Sequence, residues 1–107
     1  YIELFAPMLE HGRSAGECDF KGTGETLALF LHHLDSGMTR ELQRILVKCC
    51  SSETLPGAVS RIEDLIIGFV SAVSKILSIP EAEVREIMLA DQMLNQYREV
   101  LKKRAGV

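Results

Sequence analysis

The sequence has few of the features that mark secreted or membrane-spanning chains. Its 3 cysteines, Cys18, Cys49 and Cys50, do not make an even set, and two of them are adjacent, which disfavours a structural disulfide. No uncharged apolar run is long enough to span a bilayer, and the first residues lack the basic segment and cleavage pattern of a signal peptide. We therefore expect a cytoplasmic protein with no membrane partner.

Basic charge is scarce as well. The chain has 12 Lys and Arg against 15 Asp and Glu, a net charge of -3, whereas nucleic-acid binding needs cations gathered on one face. The basic cluster of Arg98, Lys102, Lys103 and Arg104 suits the last turn of a helix, where cations complement the carbonyl end of the dipole. A phosphate-binding tail is the alternative for this cluster.

Proline and strand signals are also rare. With 3 prolines and 47% hydrophobic residues, the composition excludes a disordered or collagen-like chain and favours a single helical domain over residues 1–107. No alternating strand pattern, GxGxxG, P-loop spacing or internal repeat occurs. Because Tyr1 is not a methionine and starts within an apolar pattern, we expect the chain to be part of a longer protein.

What the sequence does contain is apolar periodicity near 100° per residue, which predicts four helices. The first covers residues 1–10, the second 24–49 with Thr23 as N-cap, and the third 58–78. The fourth begins at Pro80 and Glu81 and ends at Gly106. Gly37 predicts a kink or a close contact in the second helix, and a strip of small residues predicts close approach to the third, which we expect to be packed on more than one side.

Candidate chemistry is sparse. His32 and His33 are adjacent, so on a helix their side chains point about 100° apart and cannot chelate one metal. Cys49 is expected in the core and Cys50 at the surface, without the ligand spacing of a zinc site. No catalytic set can be singled out, so the sequence predicts no catalytic residues, no metal and no cofactor.

The stretch "HGRSAGECDF" carries the strongest residue-level pattern. Gly12 is expected to stop the first helix, Gly16 to let the chain reverse and Phe20 to pin the turn. With its flanks "FAPMLE" and "GTGETLALFLHHLDSGMTREL", it resembles the C-terminal regulatory domain of the tetracycline-repressor (TetR) family of bacterial transcription regulators. The matching places are Leu9, Gly12, Gly16, Glu17 and Phe20, while Cys18 and Asp19 enlarge the usual "GEF" spacing.

The resemblance implies a fold and a function. It implies an antiparallel bundle of about four helices whose last two pair with those of a second subunit as a four-helix bundle. It also implies a homodimer that binds a small hydrophobic or amphipathic effector and thereby shifts the population of a DNA-binding form. The family's helix-turn-helix domain is absent from these residues, so DNA would be a partner only through that separate N-terminal domain.

The resemblance also gives candidate site residues on the apolar stripes. The ligand-binding candidates are Leu27, Phe30, Leu31, His33, Leu34 and Met38. The dimer-interface candidates are Ile62, Leu65, Phe69, Val73, Leu94, Tyr97 and Leu101. The alternatives are plain core for the first set and packing within one chain for the second. A helical protein–protein interaction or scaffold module without a small-molecule ligand is the alternative function.

Overall fold

The computed structural model describes residues 2–49 and 51–106. Its regular structure is entirely helical over those residues, as predicted, with no strand among them. Five helices follow one another: α1 (Ile2–Ser14), α2 (Gly24–Lys48), α3 (Leu55–Leu77), α4 (Glu81–Ile87) and α5 (Ala90–Ala105). The all-α class is confirmed, and the expected number of about four helices is corrected to five.

α1 continues past its predicted end. Gly12 is helical and buried, and the helix closes only at Ser14, after which Gly16 takes the left-handed conformation (φ +75°). A Cβ on Gly12 would lie 3.3 Å from Cys18 Sγ. The prediction that Gly12 stops the helix is therefore wrong: this glycine makes room for the returning loop, and Gly16 supplies the left-handed turn.

α2 begins at the predicted residue and ends one residue before the predicted end. Thr23 caps it, because its side-chain oxygen accepts a hydrogen bond from the Thr26 N–H at 3.2 Å. Cys49 follows as the C-terminal cap and is buried, as expected, whereas Cys50 lies outside the described residues. Outside the backbone of its own helix, no atom of the described residues lies within 4 Å of where a Cβ on Gly37 would stand, so the close contact that was one of two predictions for this glycine is absent. The same holds for Gly68, one of the small residues of α3.

The fourth predicted helix is in fact two. The chain turns at Leu89, whose φ is +54°, between α4 and α5. Val84 and Ala90 are both buried in one core cluster, yet residues six apart on a continuous helix would point about 120° away from each other. Both can face the same core only because the chain turns between them.

The hydrophobic core consists of two clusters. The first core cluster joins the C-terminal half of α2 to α3, α4 and α5, and its buried members are Met38, Leu42, Cys49, Ile62, Ile66, Val70, Val84, Ala90 and Leu101. The second core cluster joins α1 and the N-terminal half of α2 to the end of α3, and its buried members are Leu9, Phe20, Leu27, Ala28, Leu31 and Leu77. Half-buried Val73 and Ile79 pack against both. α3 contacts α2, α4 and α5, which confirms that it is packed on more than one side.

Candidate functional site

A cavity of about 210 Å³ lies beside the place where the two core clusters meet. We call it the inter-cluster cavity. Its walls come from α1, α2, α3, α4 and the α3–α4 turn, and all but one of the lining side chains are apolar: Phe5, Leu31, Asp35, Phe69, Val73, Leu77, Ile79, Val84, Ile87 and Met88. A largely apolar cavity with one polar group is the usual form of a small-molecule site.

Asp35 is the exception in that lining. It follows buried Leu31 by four positions and precedes buried Leu42 by seven, so it belongs to the inward-facing arc of α2. Asp35 is nevertheless an exposed residue, and its carboxylate forms no hydrogen bond or ion pair with any residue in 2–49 or 51–106. Asp35 is not among the site residues predicted from the sequence, although a charge inside an apolar arc is a signal that identifies such a position.

A second, more open depression runs along the contact between α2 and α3. This α2–α3 groove has a volume of about 330 Å³ and is lined by His33, Leu34, Gly37, Met38, Glu41, Asp64, Leu65, Gly68 and Phe69. Its floor is apolar, and the two glycines widen it because neither carries a side chain. Phe69 contributes to the groove and to the inter-cluster cavity alike.

The predicted ligand-binding residues do not form one site. His33, Leu34 and Met38 line the α2–α3 groove, while Leu31 lines the inter-cluster cavity. Leu27 is buried in the second core cluster, and Phe30 is 61% exposed and lines neither cavity. The stripe is thus shared between two cavities and the core.

The predicted dimer-interface residues all belong to the first core cluster or pack against it. Ile62 and Leu101 are 0% exposed, so the chain's own core already covers them. Half-buried neighbours complete this set: Leu65, Phe69, Val73, Leu94 and Tyr97. By contrast, Val100 on the outer edge of α5 and Leu89 in the turn before α5 remain exposed, at 44% and 57%.

The stretch that carries the resemblance forms a braced α1–α2 junction. Arg13 donates from Nη1 to the carbonyl oxygens of Phe20 at 3.1 Å and Gly22 at 2.8 Å, and from Nη2 to both carboxylate oxygens of Glu10 at 2.8 Å. Its guanidinium carbon lies 4.2 Å from the centre of the Phe20 ring. Phe20 is buried, as predicted, so it pins the turn. Arg13, which sequence analysis did not single out, holds the whole junction.

Glu10 extends the junction to the start of α2. Its Oε1 accepts a hydrogen bond from the Gly24 N–H at 2.6 Å, where the positive end of the helix dipole favours a carboxylate. The hydrogen bonds from Arg13 and from the Gly24 amide hold the pKa of Glu10 below its ordinary value. Glu10 of α1 therefore provides a hydrogen-bond acceptor for the first backbone amide of α2.

Cys18 lies in the same junction with a thiol unsuited to nucleophilic chemistry. Burial, followed by the neighbouring charges of Glu17 and Asp19, raises its pKa. A raised pKa leaves less thiolate, which is the reactive form. The Asp19 N–H donates to the Leu77 carbonyl at 2.8 Å, so this loop also covers the end of α3.

The described residues offer no metal cluster. Within 2–49 and 51–106, no three His, Cys, Asp or Glu side chains are placed to hold an ion. The rings of His32 and His33 contact each other with centroids 5.7 Å apart and planes tilted by 55°. None of the described helices has the length and apolar character needed to cross a bilayer.

Comparison with known proteins found no matching family model, curated protein or solved structure.

Proposed function

We propose that the chain is the effector-binding and dimerisation domain of a TetR-like bacterial transcription regulator. In this proposal a small hydrophobic or amphipathic molecule binds between the helices and alters the operator affinity of a DNA-binding domain that belongs to the same protein. The support comes from the residues of the α1–α2 junction, from the all-helical fold and above all from the position of the inter-cluster cavity.

The inter-cluster cavity is the observation that carries the proposal. Its walls include Phe5 of α1, which packs against the second core cluster, and Val84 of α4, which is buried in the first. A ligand that contacts both clusters binds best at one spacing between them, so it shifts the population toward that spacing. Because the α1–α2 junction joins α1 to α2, α1 would move together with the second core cluster. This movement of α1 would be transmitted to the DNA-binding domain.

The homodimer is part of the same proposal, with revised contacts. Because Ile62 and Leu101 are covered within one chain, they cannot meet a second subunit directly. The outer edge of α5 is better placed to do so. There Val100 is exposed, and Met93 and Tyr97 are half-buried beside it. We propose that this edge contacts the partner subunit.

A helical interaction module without a small-molecule ligand is the second candidate. The α2–α3 groove favours it, because an open apolar depression lined by two glycines suits a helix from another protein. This candidate needs neither a DNA-binding domain nor a ligand in the inter-cluster cavity. Those two requirements separate the candidates.

The protein sequence encoded ahead of Tyr1 provides the direct test. The regulator predicts a basic segment of roughly fifty residues with a helix-turn-helix pattern in that position. A different kind of segment, or a start codon immediately before Tyr1, would contradict the regulator and favour the interaction module.

A further inference from the structure

We infer that the inter-cluster cavity selects a small organic cation with an aromatic or aliphatic body. This inference rests on the proposed function, because it names the chemical class of the effector at the same site. It depends on three features of the cavity: the position of Asp35, the aromatic lining and the charge of the surrounding side chains.

Asp35 supplies the counter-charge. Its place on the inward-facing arc of α2, among residues that are otherwise apolar and buried, puts its carboxylate at the cavity wall. No described residue neutralises it through an ion pair or hydrogen bond. A carboxylate at an apolar wall favours a ligand that brings a positive charge and fills the space with apolar groups.

The rest of the lining suits the same ligand. Phe5 on α1 and Phe69 on α3 line the cavity with aromatic side chains, and Met88 adds a polarisable thioether. Aromatic faces attract organic cations, and quaternary ammonium groups in particular. None of the lining residues is basic, so no protein cation competes for Asp35 from within the cavity. The cavity volume of about 210 Å³ limits the ligand to a small one.

Three probes of nearly the same shape test the charge. Benzyltrimethylammonium, neopentylbenzene and phenylmethanesulfonate each carry a benzyl group, with a cationic, neutral or anionic head. Each is titrated into the isotope-labelled full-length protein, and amide chemical shifts of the lining residues report dissociation constants. We expect the cation to bind about tenfold more tightly than the neutral isostere, and the anion to bind most weakly.

Two matched variants locate the effect. Asp35→Asn keeps the size of the side chain and is expected to remove the preference for the cation, with the affinity for neopentylbenzene unchanged. Asp64→Asn removes a carboxylate from the α2–α3 groove and is expected to leave all three affinities unchanged. Asp35 and Asp64 are both exposed, so neither variant is expected to unfold the protein.

The outcomes separate this inference from the proposed function. Equal binding of the cation and the neutral isostere, or an Asp35→Asn variant that retains the preference, overturns the inferred charge while leaving a ligand site in the cavity. Absence of shifts in the lining residues with all three probes overturns the inferred ligand class and removes the observation that carries the proposed function. Cation binding that Asp64→Asn abolishes places the site in the α2–α3 groove and also overturns the inference.

Discussion

At the scale of single residues, Glu10 and Arg13 determine how α1 meets α2. Arg13 donates hydrogen bonds to two loop carbonyls, and Glu10 accepts one from the first amide of α2. Both side chains are only partly exposed, and their ion pair is joined to backbone groups. Such a pair stabilises more than an isolated surface ion pair does, because several hydrogen bonds depend on the same two side chains.

Replacement of Glu10 is expected to alter the pH dependence of stability. Folding lowers the pKa of Glu10, so its ionised carboxylate stabilises the folded state fully at pH values above the ordinary pKa of 4.5. This stabilisation is lost as the pH falls through the lower pKa of the folded state. Glu10→Gln should lower the free energy of unfolding at pH 7 and flatten its decline below pH 4.5. Urea unfolding across this range measures both effects. Glu53→Gln, in an exposed loop, is the control, and an equal effect there would contradict the prediction.

Gly24 is the glycine whose lack of a side chain matters most. A Cβ there would stand 2.7 Å from the Ala6 carbonyl oxygen and 2.8 Å from Glu10 Cγ, so α1 would have to move. Gly24→Ala is expected to cost about 1–3 kcal/mol. Gly37→Ala is the matched control: it enters open space in the same helix and should stabilise by about 0.5–1 kcal/mol. Chemical denaturation decides the matter, and similar values for the two variants would refute the close approach of α1.

At the scale of helices, two left-handed residues set the path of the C-terminal half. Ser78 (φ +56°) ends α3, and Leu89 (φ +54°) separates α4 from α5. Neither position carries the glycine that usually takes this conformation. The Ile79 N–H donates to the Ser74 carbonyl at 3.1 Å and closes the end of α3, although the left-handed conformation is unfavourable for a residue with a Cβ. Tertiary packing of Val84, Ala90 and Leu77 therefore outweighs a local preference of about 1 kcal/mol at each turn.

Ser78→Gly is expected to relieve one of these turns. Glycine adopts the left-handed region without the Cβ contact, so the variant should raise the free energy of unfolding by about 0.5–1 kcal/mol. Ser78→Ala keeps a Cβ and is expected to bring no gain. Thermal unfolding of the two variants side by side tests the conformation, and a gain with alanine equal to that with glycine would contradict it.

At the scale of the whole molecule, the chain exposes more surface than its size requires. Its accessible surface is 7039 Å² at 11.9 kDa, whereas a compact protein of that mass exposes about 5,950 Å². The radius of gyration is 16.0 Å, against about 13 Å for a compact domain of this length. The surplus of about 1,100 Å² exceeds the roughly 800 Å² that each partner gives to a standard interface. The molecule is elongated, 49 × 23 × 17 Å, and the proposed dimer would cover part of this surplus surface.

The dimer proposal is tested at the edge of α5. Val100→Glu would bury an unpaired charge between subunits and should weaken the dimer at least tenfold. Val47→Glu changes the same residue type on α2, where it is 71% exposed, and should leave the dimer intact. Sedimentation velocity over a concentration series gives the dissociation constants. A wild-type protein that remains monomeric at high micromolar concentration, or equal effects of the two variants, would reject this interface.

The roles of several residues could be predicted from the sequence, and those of others could not. Thr23 as N-cap, Cys49 in the core, Phe20 as the pin of the turn and the limits of α2 were all predicted, since capping and apolar periodicity act within one or two helical turns. Gly12 was misassigned because its role depends on Cys18, which returns from the following loop. The ligand-binding role of the predicted residues stays a prediction, and their division between two cavities and the core was not foreseen.

The sequence by itself determined that the chain is helical, where α2 begins and ends, and which faces are apolar. These properties follow from interactions between residues close in the chain. Only the tertiary structure decided that α4 and α5 separate at Leu89, that Glu10 caps α2, and that Asp35 lies at the wall of an apolar cavity. Those features depend on which distant residues meet, and many packings of the same amphipathic helices satisfy the same periodicity.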